Sequence, residues 1–215
     1  NMLNKKTSRM GRKAMFFMAF CLSSFIFLLG SCSESDNTVE EFPDWKNTNV
    51  NYWDKLYAET QAKVTAGDAS WKAFKSYSIE DSLQSPNTDY IIVNVLTAGK
   101  GSGCPIYSDS VRVRYTGQLL PSTSYPQGYV FDTTNKNGAT DATAGVVDMK
   151  ISDLTAGFAT ALQRMHIGDQ WDVYIPWTLA YGESGSSSIP GYSVLKFKIQ
   201  LLAYARAGAS LPPFK

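Results

Sequence analysis

Several segments in the C-terminal half of the chain follow the residue period of a β-strand. Residues 111–115 alternate apolar side chains with Arg112 and Arg114, and residues 171–175 and 195–201 repeat this alternation. Residues 90–96 are rich in the residue types that favour strands. Because successive side chains of a strand point to opposite faces, this period indicates strands that are buried on one face. The pattern predicts a mostly antiparallel sheet.

One segment between these strands has the period of a helix. Phe158, Ala161, Leu162 and Met165 share one helical face, and Gly168 follows as a C-terminal stop. A single short helix against a mostly antiparallel sheet predicts an α+β fold. The sequence shows no internal repeat and no second catalytic domain.

Residues 43–87 precede the strands and are predicted to form a helical N-terminal extension. Pro43 suits a first helical turn, and Gly67 suits a helix end. Between them, three- and four-residue spacing gives one largely aromatic face: Trp45, Asn49, Tyr52, Trp53, Leu56, Thr60 and Val64. This face could be covered by its own domain, by a second copy of the chain or by a client protein. We favour its own domain, because aromatic stripes at helical spacing usually belong to a core. The stretch from Trp71 to Pro86 holds a second short element of unassigned type.

Residues 1–31 have the pattern of an export signal, in which five basic residues precede an apolar run at 14–29. This run is shorter than the ~20 residues of a typical membrane-spanning helix. Leu29-Gly30-Ser31-Cys32 then resembles the lipobox of bacterial lipoproteins. The resemblance implies that Cys32 is lipidated and becomes the new N-terminus. The alternative is an ordinary cleavage site beside an unmodified thiol.

Residues 32–42 are polar and acidic and are predicted to form a linker to the membrane. Removal of the five basic residues of the signal changes the formal net charge of the chain from +1 to −4. No basic surface is left to recruit nucleic acid. The acidic residues of the linker form a solvated tether or a surface-export signal. The predicted location is the cell envelope, where the protein is lipid-anchored to the outer membrane and faces the periplasm or the cell surface.

Several enzyme classes are excluded by composition. His166 is the only histidine, so histidine-dependent triads and multi-histidine metal sites are absent. The glycines at 99–103 lack the strand and helix of a phosphate-binding loop. Cys104 stays unpaired once Cys21 is removed with the signal and Cys32 is lipidated, and we assign it no function. We therefore expect no metal, no nucleotide and no other cofactor.

An ordered series of aromatic motifs remains, and it carries very few polar groups. It comprises Tyr115-Thr116-Gly117, Phe131-Asp132, Gly157-Phe158, Ala180-Tyr181-Gly182, Ile189-Pro190 and Phe197. Such a set suits an apolar pocket of about the size of a proline ring rather than an acid–base site. In this order the motifs resemble those of the FKBP-type peptidyl-prolyl cis-trans isomerases, and the resemblance covers residues 88–204. It implies a curved antiparallel sheet wrapped around one short helix, to which this chain adds the helical extension and a C-terminal tail, 205–215.

The resemblance also implies a role for each matching residue. Tyr115, Phe131 and Phe197 would form the walls of the pocket and Phe158 its floor, completed by Val147 or Met149, Leu154 and Ile189. The Tyr181 hydroxyl and the backbone N–H of Thr155 would donate to substrate carbonyls. Asp132 would orient or polarise groups near the amide, although taken alone it could equally cap a turn.

Three departures from the family pattern concern the floor and the rim of this pocket. Phe158 stands where many active members have tryptophan, which leaves more room and predicts a reduced or shifted substrate preference. Thr155 stands where an aliphatic residue is common. Residues 121–128 are an insertion that, with the loops 135–145 and 183–188, could shape the rim and select clients.

These observations lead to one hypothesis and one alternative. The hypothesis is a lipid-anchored peptidyl-prolyl cis-trans isomerase that assists the folding of proline-containing exported polypeptides. The alternative is a non-catalytic chaperone or protein-binding lipoprotein with the same fold. A homodimer through the N-terminal helix would resemble the dimerisation arms of some envelope members of the family.

Overall fold

The computed structural model describes residues 39–82, 84–136 and 145–214. Within these residues the regular elements are α1 (Trp45–Thr65), β1 (Trp71–Lys75), β2 (Tyr90–Thr97), β3 (Ser110–Gln118), β4 (Val130–Thr133), β5 (Val147–Lys150), α2 (Ala156–Leu162), β6 (Gln170–Ile175) and β7 (Leu195–Ala205). The predicted signal, the lipidation residue Cys32 and most of the predicted linker lie outside the described residues.

The strands form one antiparallel sheet in the order β1-β2-β6-β7-β3-β4. β3 and β7 pair along the whole of β3, from Ser110 opposite Ala205 to Gln118 opposite Lys196. The other edge of β3 pairs with β5 near its start and with β4 near its end. Val111 and Val113 are buried as the alternation predicted. The predicted α+β fold class is confirmed.

The short helix α2 packs directly on the sheet. Its residues 157–162 are all buried. Gly157 allows this close approach, because a Cβ atom there would lie 2.3 Å from Ile175 Cγ2 on β6. The helix ends at Leu162, but a tight turn follows and keeps Met165 buried. α2 therefore holds Phe158 in its first turn, close to the sheet.

The aromatic face of α1 is covered by the chain's own domain. Trp53 is 0% exposed, and Trp45 and Leu56 are also buried. The Trp45 indole donates a hydrogen bond to Ser193 Oγ at 2.9 Å, a contact with the loop before β7. Of the three surfaces that could cover this face, the structure shows the intramolecular one. Val64, at the end of the predicted face, is exposed.

β1 is the element that the sequence left unassigned. It pairs with β2 from Trp71 opposite Asn94 to Lys75 opposite Tyr90, and it forms one edge of the sheet. Lys63 of α1 places its Nζ 3.6 Å from the centroid of the Trp71 ring, a cation–π contact. The contact joins the end of α1 to the edge strand, so helix and sheet form one packed unit.

The last residues of the predicted linker contact the domain. Glu41 accepts hydrogen bonds from Ser122 Oγ and from the backbone N–H of Ser124, both in the insertion 121–128. Phe42 packs edge-to-face against Trp45 with ring centroids 4.8 Å apart. The chain therefore reaches α1 along the insertion.

Within the ranges that the structure describes, no helix has the length and apolar character needed to cross a membrane.

Candidate substrate-binding site

Four aromatic rings from three strands and α2 meet at one place. The Phe158 ring centroid lies 4.9 Å from that of Phe197 and 5.8 Å from that of Tyr115. The Phe131 and Phe197 centroids are 5.6 Å apart, and all three of these contacts are edge-to-face. This geometry stabilises aromatic pairs beyond the area that they bury. We call Tyr115, Phe131, Phe158 and Phe197 the aromatic cluster.

The aromatic cluster has a buried base and a half-exposed margin. Phe158 and Phe197 are each 6% exposed, whereas Tyr115 and Phe131 are half-buried. The rings therefore present an apolar surface that a small ring from outside could contact. The resemblance predicted this convergence, and the structure brings all four predicted rings together.

Gly117 makes the contact between two of these rings sterically feasible. It lies opposite Phe197 in the pairing of β3 with β7. A Cβ atom at this position would lie 2.6 Å from Phe197 Cε1 and 2.7 Å from Phe131 Cε2. Both distances are well below van der Waals contact, so any side chain here would push the rings apart. The glycine of the motif thus has a steric role.

Asp132 and Tyr115 form a polar pair at the margin of the aromatic cluster. The Tyr115 hydroxyl donates a hydrogen bond to Asp132 Oδ2. Burial raises the pKa of Tyr115 above its ordinary value, and the hydrogen bond and negative charge of Asp132 raise it further. Tyr181 adds a smaller electrostatic contribution to this pKa shift. Tyr115 is therefore a neutral hydrogen-bond donor at physiological pH, and it orients the Asp132 carboxyl group.

We expect Tyr115→Phe to lower the free energy of unfolding by about 1 kcal/mol at neutral pH. This expected loss is smaller than the usual contribution of a hydrogen bond to a charged group, because Asp132 is exposed to water. The raised folded-state pKa of Tyr115 means that its stabilisation is fully present below the ordinary pKa of 10.0 and is lost as the pH rises above it. The difference between parent and variant in urea denaturation should therefore shrink above pH 10. The same substitution at the exposed Tyr125 is the control, and a Tyr115→Phe difference that stayed constant into alkaline solution would contradict this account.

The two hydrogen-bond donors predicted from the sequence are available to a ligand. Tyr181 is 41% exposed, and the Thr155 backbone N–H lies just before the first turn of α2, which carries Phe158. Within the described ranges, neither the Tyr181 hydroxyl nor the Thr155 N–H donates a hydrogen bond to the protein. The Thr155 side chain does not cap the helix either.

The other predicted lining residues pack against the same core as the aromatic cluster. Val147 and Met149 lie on β5 opposite Val113 and Val111, so both point to the inner face of the sheet. Leu154 follows a 3-10 turn before α2 and is half-buried, and Ile189 is buried in the loop before β7. Their contact with a ligand stays a prediction.

His166 and Cys104 form a separate contact. His166 Nε2 lies 3.7 Å from Cys104 Sγ, and the His166 backbone N–H donates to Asp169 Oδ2 at 2.6 Å. Burial raises the pKa of the Cys104 thiol, which disfavours the reactive thiolate. In the part of the chain that the structure describes, no group of three histidine, cysteine, aspartate or glutamate side chains is placed to hold a metal ion.

The contact of Asn49 with the end of the loop that carries Tyr181 was not predicted from the sequence. Asn49 is 0% exposed, and its Oδ1 accepts the backbone N–H of Val194 at 2.8 Å. Its position on the predicted aromatic face of α1 was the signal that it would be buried. Its partner could not be found from spacing, because the two residues are 145 positions apart.

Residues 104–202 match the family of FKBP-type peptidyl-prolyl cis-trans isomerases. The matched segment contains the whole aromatic cluster together with Asp132 and Tyr181. A solved structure of a peptidyl-prolyl cis-trans isomerase from Pseudomonas syringae pv. tomato is similar with a TM-score of 0.52 and 24% identity. The similarity covers 75% of this chain and 96% of that one, and it shows a common fold.

Three relatives illustrate the sequence similarity. The "Macrophage infectivity potentiator" of Trypanosoma cruzi is 28% identical over 89% of this chain and 84% of that protein. The "FKBP-type 22 kDa peptidyl-prolyl cis-trans isomerase" of Escherichia coli K12 is 36% identical over 50% of this chain and 47% of that protein. The "Outer membrane protein MIP" of Legionella longbeachae is 36% identical over 53% and 43%, respectively. The chain thus spans less than half the length of these two bacterial relatives.

The matched segment thus holds the antiparallel strands β3 to β6, most of β7, the short helix α2 and the aromatic cluster between them. Residues 104–202 form an FKBP-type peptidyl-prolyl cis-trans isomerase domain. The family resemblance predicted from the sequence is confirmed over residues 104–202.

Proposed function

We propose that the domain catalyses rotation about X–Pro peptide bonds in exported polypeptides, with the aromatic cluster as its substrate site. The observation that carries the proposal is the convergence of four rings, together with two hydrogen-bond donors that have no partner among the described residues. A proline side chain is a compact apolar ring, and an apolar surface bordered by a few polar groups matches a prolyl peptide.

The chemistry of the reaction requires neither bond cleavage nor a cofactor. Rotation about the amide is slow because resonance imposes a barrier of ~18–20 kcal/mol. The twisted amide has less resonance and less charge separation than the planar form, so an apolar site favours it relative to water. A site that holds the proline ring and binds the twisted amide more tightly than the planar one therefore accelerates rotation.

In this proposal, the polar groups at the margin of the aromatic cluster orient the substrate. The Tyr181 hydroxyl and the Thr155 N–H would each donate to a substrate carbonyl and fix the peptide backbone on either side of the prolyl ring. Asp132, held by the Tyr115 hydroxyl, would lie beside the rotating amide. Holding the flanking backbone while one bond rotates converts binding energy into catalysis.

Removing the Tyr181 hydroxyl tests this assignment. We expect Tyr181→Phe to lower kcat/KM for X–Pro peptides by about fivefold to tenfold, the loss of one hydrogen bond of ~1 kcal/mol in the transition state. Its stability should be unchanged, because the described structure gives the hydroxyl no protein partner. The measurement is the rate of cis-to-trans relaxation of short peptides that differ in the residue before proline.

The matched control for Tyr181→Phe is the same change at Tyr125, an exposed tyrosine in the insertion 121–128. Tyr125→Phe should keep the parent rate. Equal rates for the parent and both variants would remove Tyr181 from the site. A fall in both variants would point instead to the rim as a whole.

The site of action proposed for the enzyme is the bacterial cell envelope. The export signal, the lipobox-like sequence and the name of the Legionella relative support this location. Cys32 would carry the lipid, and the tether between it and Glu41 would be short, at most about 3.6 Å per residue. The substrates would then be proline-containing polypeptides that reach the envelope unfolded. Because α1 buries its aromatic face against its own domain, a homodimer through this helix would have to use its outer face.

A further inference from the structure

Residues 176–194 connect β6 to β7 and carry both Tyr181 and Ile189. The loop is folded back on itself by backbone hydrogen bonds. The Tyr192 N–H donates to Gly182 O at 3.0 Å, and the Gly182 N–H donates to Trp177 O at 2.8 Å. Gly182 follows Tyr181 directly, so these bonds fix the backbone that presents the Tyr181 side chain.

The folded-back loop contains close contacts and backbone strain. A Cβ atom at Gly191 would lie 1.9 Å from Glu183 O, which shows how tightly the two halves of the loop meet. Tyr192 has a φ of +62°, in the left-handed region that non-glycine residues rarely adopt. Such a conformation persists only where surrounding contacts determine it. The contacts that hold Tyr192 therefore matter for the position of Tyr181.

The N-terminal turns of α1 hold the two residues that follow Tyr192. Asn49 Oδ1 accepts the Val194 N–H at 2.8 Å, while Asn49 Nδ2 donates to Trp45 O at 2.7 Å. Trp45 Nε1 donates to Ser193 Oγ at 2.9 Å, and Ser193 Oγ donates to Pro190 O at 2.6 Å. Asn49 is 0% exposed, and both ends of its amide are used.

A third residue of α1 contacts the strained tyrosine itself. Lys46 Nζ lies 4.2 Å from the centroid of the Tyr192 ring, within cation–π range. A continuous path of contacts thus runs from α1 to residues 192–194 and, through the Tyr192 N–H, to Gly182 and Tyr181. Lys46 is exposed, whereas Asn49 and Trp45 are buried. The hydrogen bonds of the two buried residues therefore contribute more to holding the loop than the contact of Lys46.

We infer that Asn49 and Trp45 are positioning residues, which hold the loop so that Tyr181 faces the aromatic cluster. The N-terminal extension is then part of the catalytic unit rather than an independent arm. The inference rests on the proposed isomerase function, because it concerns how Tyr181 is placed for that reaction. Neither residue is within the segment 104–202 that matches the isomerase family.

Asn49→Ala in the purified full chain tests the inference. We expect kcat/KM for X–Pro peptides to fall roughly tenfold, since small misplacements of a catalytic group can cost up to about a hundredfold. Leu56→Ala is the matched control: Leu56 is also buried on α1, two turns after Asn49 on the same helix face. Leu56→Ala should be at least as destabilised as Asn49→Ala, yet keep the parent kcat/KM under conditions in which both are folded. Equal losses in the two variants, or no loss in either, would overturn the inference.

Trp45→Phe is a second variant in case Asn49→Ala does not fold. It keeps an aromatic ring against Phe42 but removes the hydrogen bond to Ser193. We expect a smaller fall in kcat/KM than for Asn49→Ala, with folding preserved. A rate equal to that of the parent would remove Trp45 from the inferred role.

Hydrogen exchange reports on the loop without relying on activity. In the parent, the Tyr192 amide should be protected by its bond to Gly182 O. In Asn49→Ala this protection should fall about tenfold or more, while the amides of β7 keep theirs. Unchanged protection of Tyr192 would overturn the inference. If the parent shows no isomerase activity, the proposed function fails, and the exchange measurement alone then decides whether α1 holds the loop.

Discussion

Phe131→Ala is expected to lower kcat/KM for X–Pro peptides by between about tenfold and a hundredfold. The Phe131 ring stands edge-to-face on Phe197 and forms the half-exposed margin of the aromatic cluster. Its removal would leave the prolyl ring without one wall and admit water to the amide, which stabilises the planar form. Because Phe131 is only half-buried, its loss should destabilise the fold less than the ~3–5 kcal/mol of a fully buried phenylalanine. Peptide relaxation and urea denaturation measure the two effects separately.

The control for Phe131→Ala is Val130→Ala. Val130 is the adjacent residue of β4, and its side chain is exposed. This variant should keep the rate of the parent, since its side chain lies outside the aromatic cluster. If Phe131→Ala retained full activity while remaining folded, the aromatic cluster would not be the substrate site.

Gly117→Ala is expected to disturb both activity and stability, although it adds only one methyl group. That group would lie 2.6 Å from Phe197 Cε1, so the Phe197 and Phe131 rings would have to move. Overpacking of this kind costs about 1–3 kcal/mol of unfolding free energy. We also expect kcat/KM to fall about tenfold, because both displaced rings line the proposed site.

Gly145→Ala provides the same chemical change away from the rings. Among the described residues, a Cβ atom there would meet only Thr134 O, at 3.3 Å. This variant should lose little stability and no activity. A Gly117→Ala protein as active and as stable as the parent would contradict the packing described for the aromatic cluster, whichever way Gly145→Ala behaved.

The central strands and α2 were predictable because each is buried either on one face or on all sides, which leaves a clear apolar pattern in the sequence. In β7, buried and less buried residues alternate along the whole strand, so the sequence period is strong. β4 and β5 are short and contain no fully buried residue, and β1 is half-buried throughout. Edge strands of this kind lack a hydrophobic signal of their own, and their pairing comes from neighbours distant in sequence.

The aromatic cluster was predictable only through the order of the motifs. Phe131 or Phe197 alone resembles an ordinary core residue, and nothing in local spacing brings the two rings together. The resemblance to the family predicted that these rings come together. The structure then shows why position 117 is a glycine, because a Cβ atom there would collide with both rings.

For α1 the helix itself was predictable from the sequence, but its hydrogen-bond partners were not. Its helical period was clear, and so was the expectation that its aromatic face would be covered. The specific partners of Asn49 and Trp45 lie in the loop before β7, about the whole length of the domain away in sequence. A buried polar residue on an aromatic face is a sign of such a partner, because burial of an amide without hydrogen bonds is unfavourable.

The most direct test of the isomerase assignment is the cis-to-trans relaxation of a series of X–Pro peptides, with the parent and the Phe131→Ala/Tyr181→Phe double variant. We expect the parent to accelerate relaxation and the folded double variant not to do so. A folded parent that accelerates no peptide, yet protects unfolded clients from aggregation, would contradict the isomerase assignment and establish a holding module with the same fold.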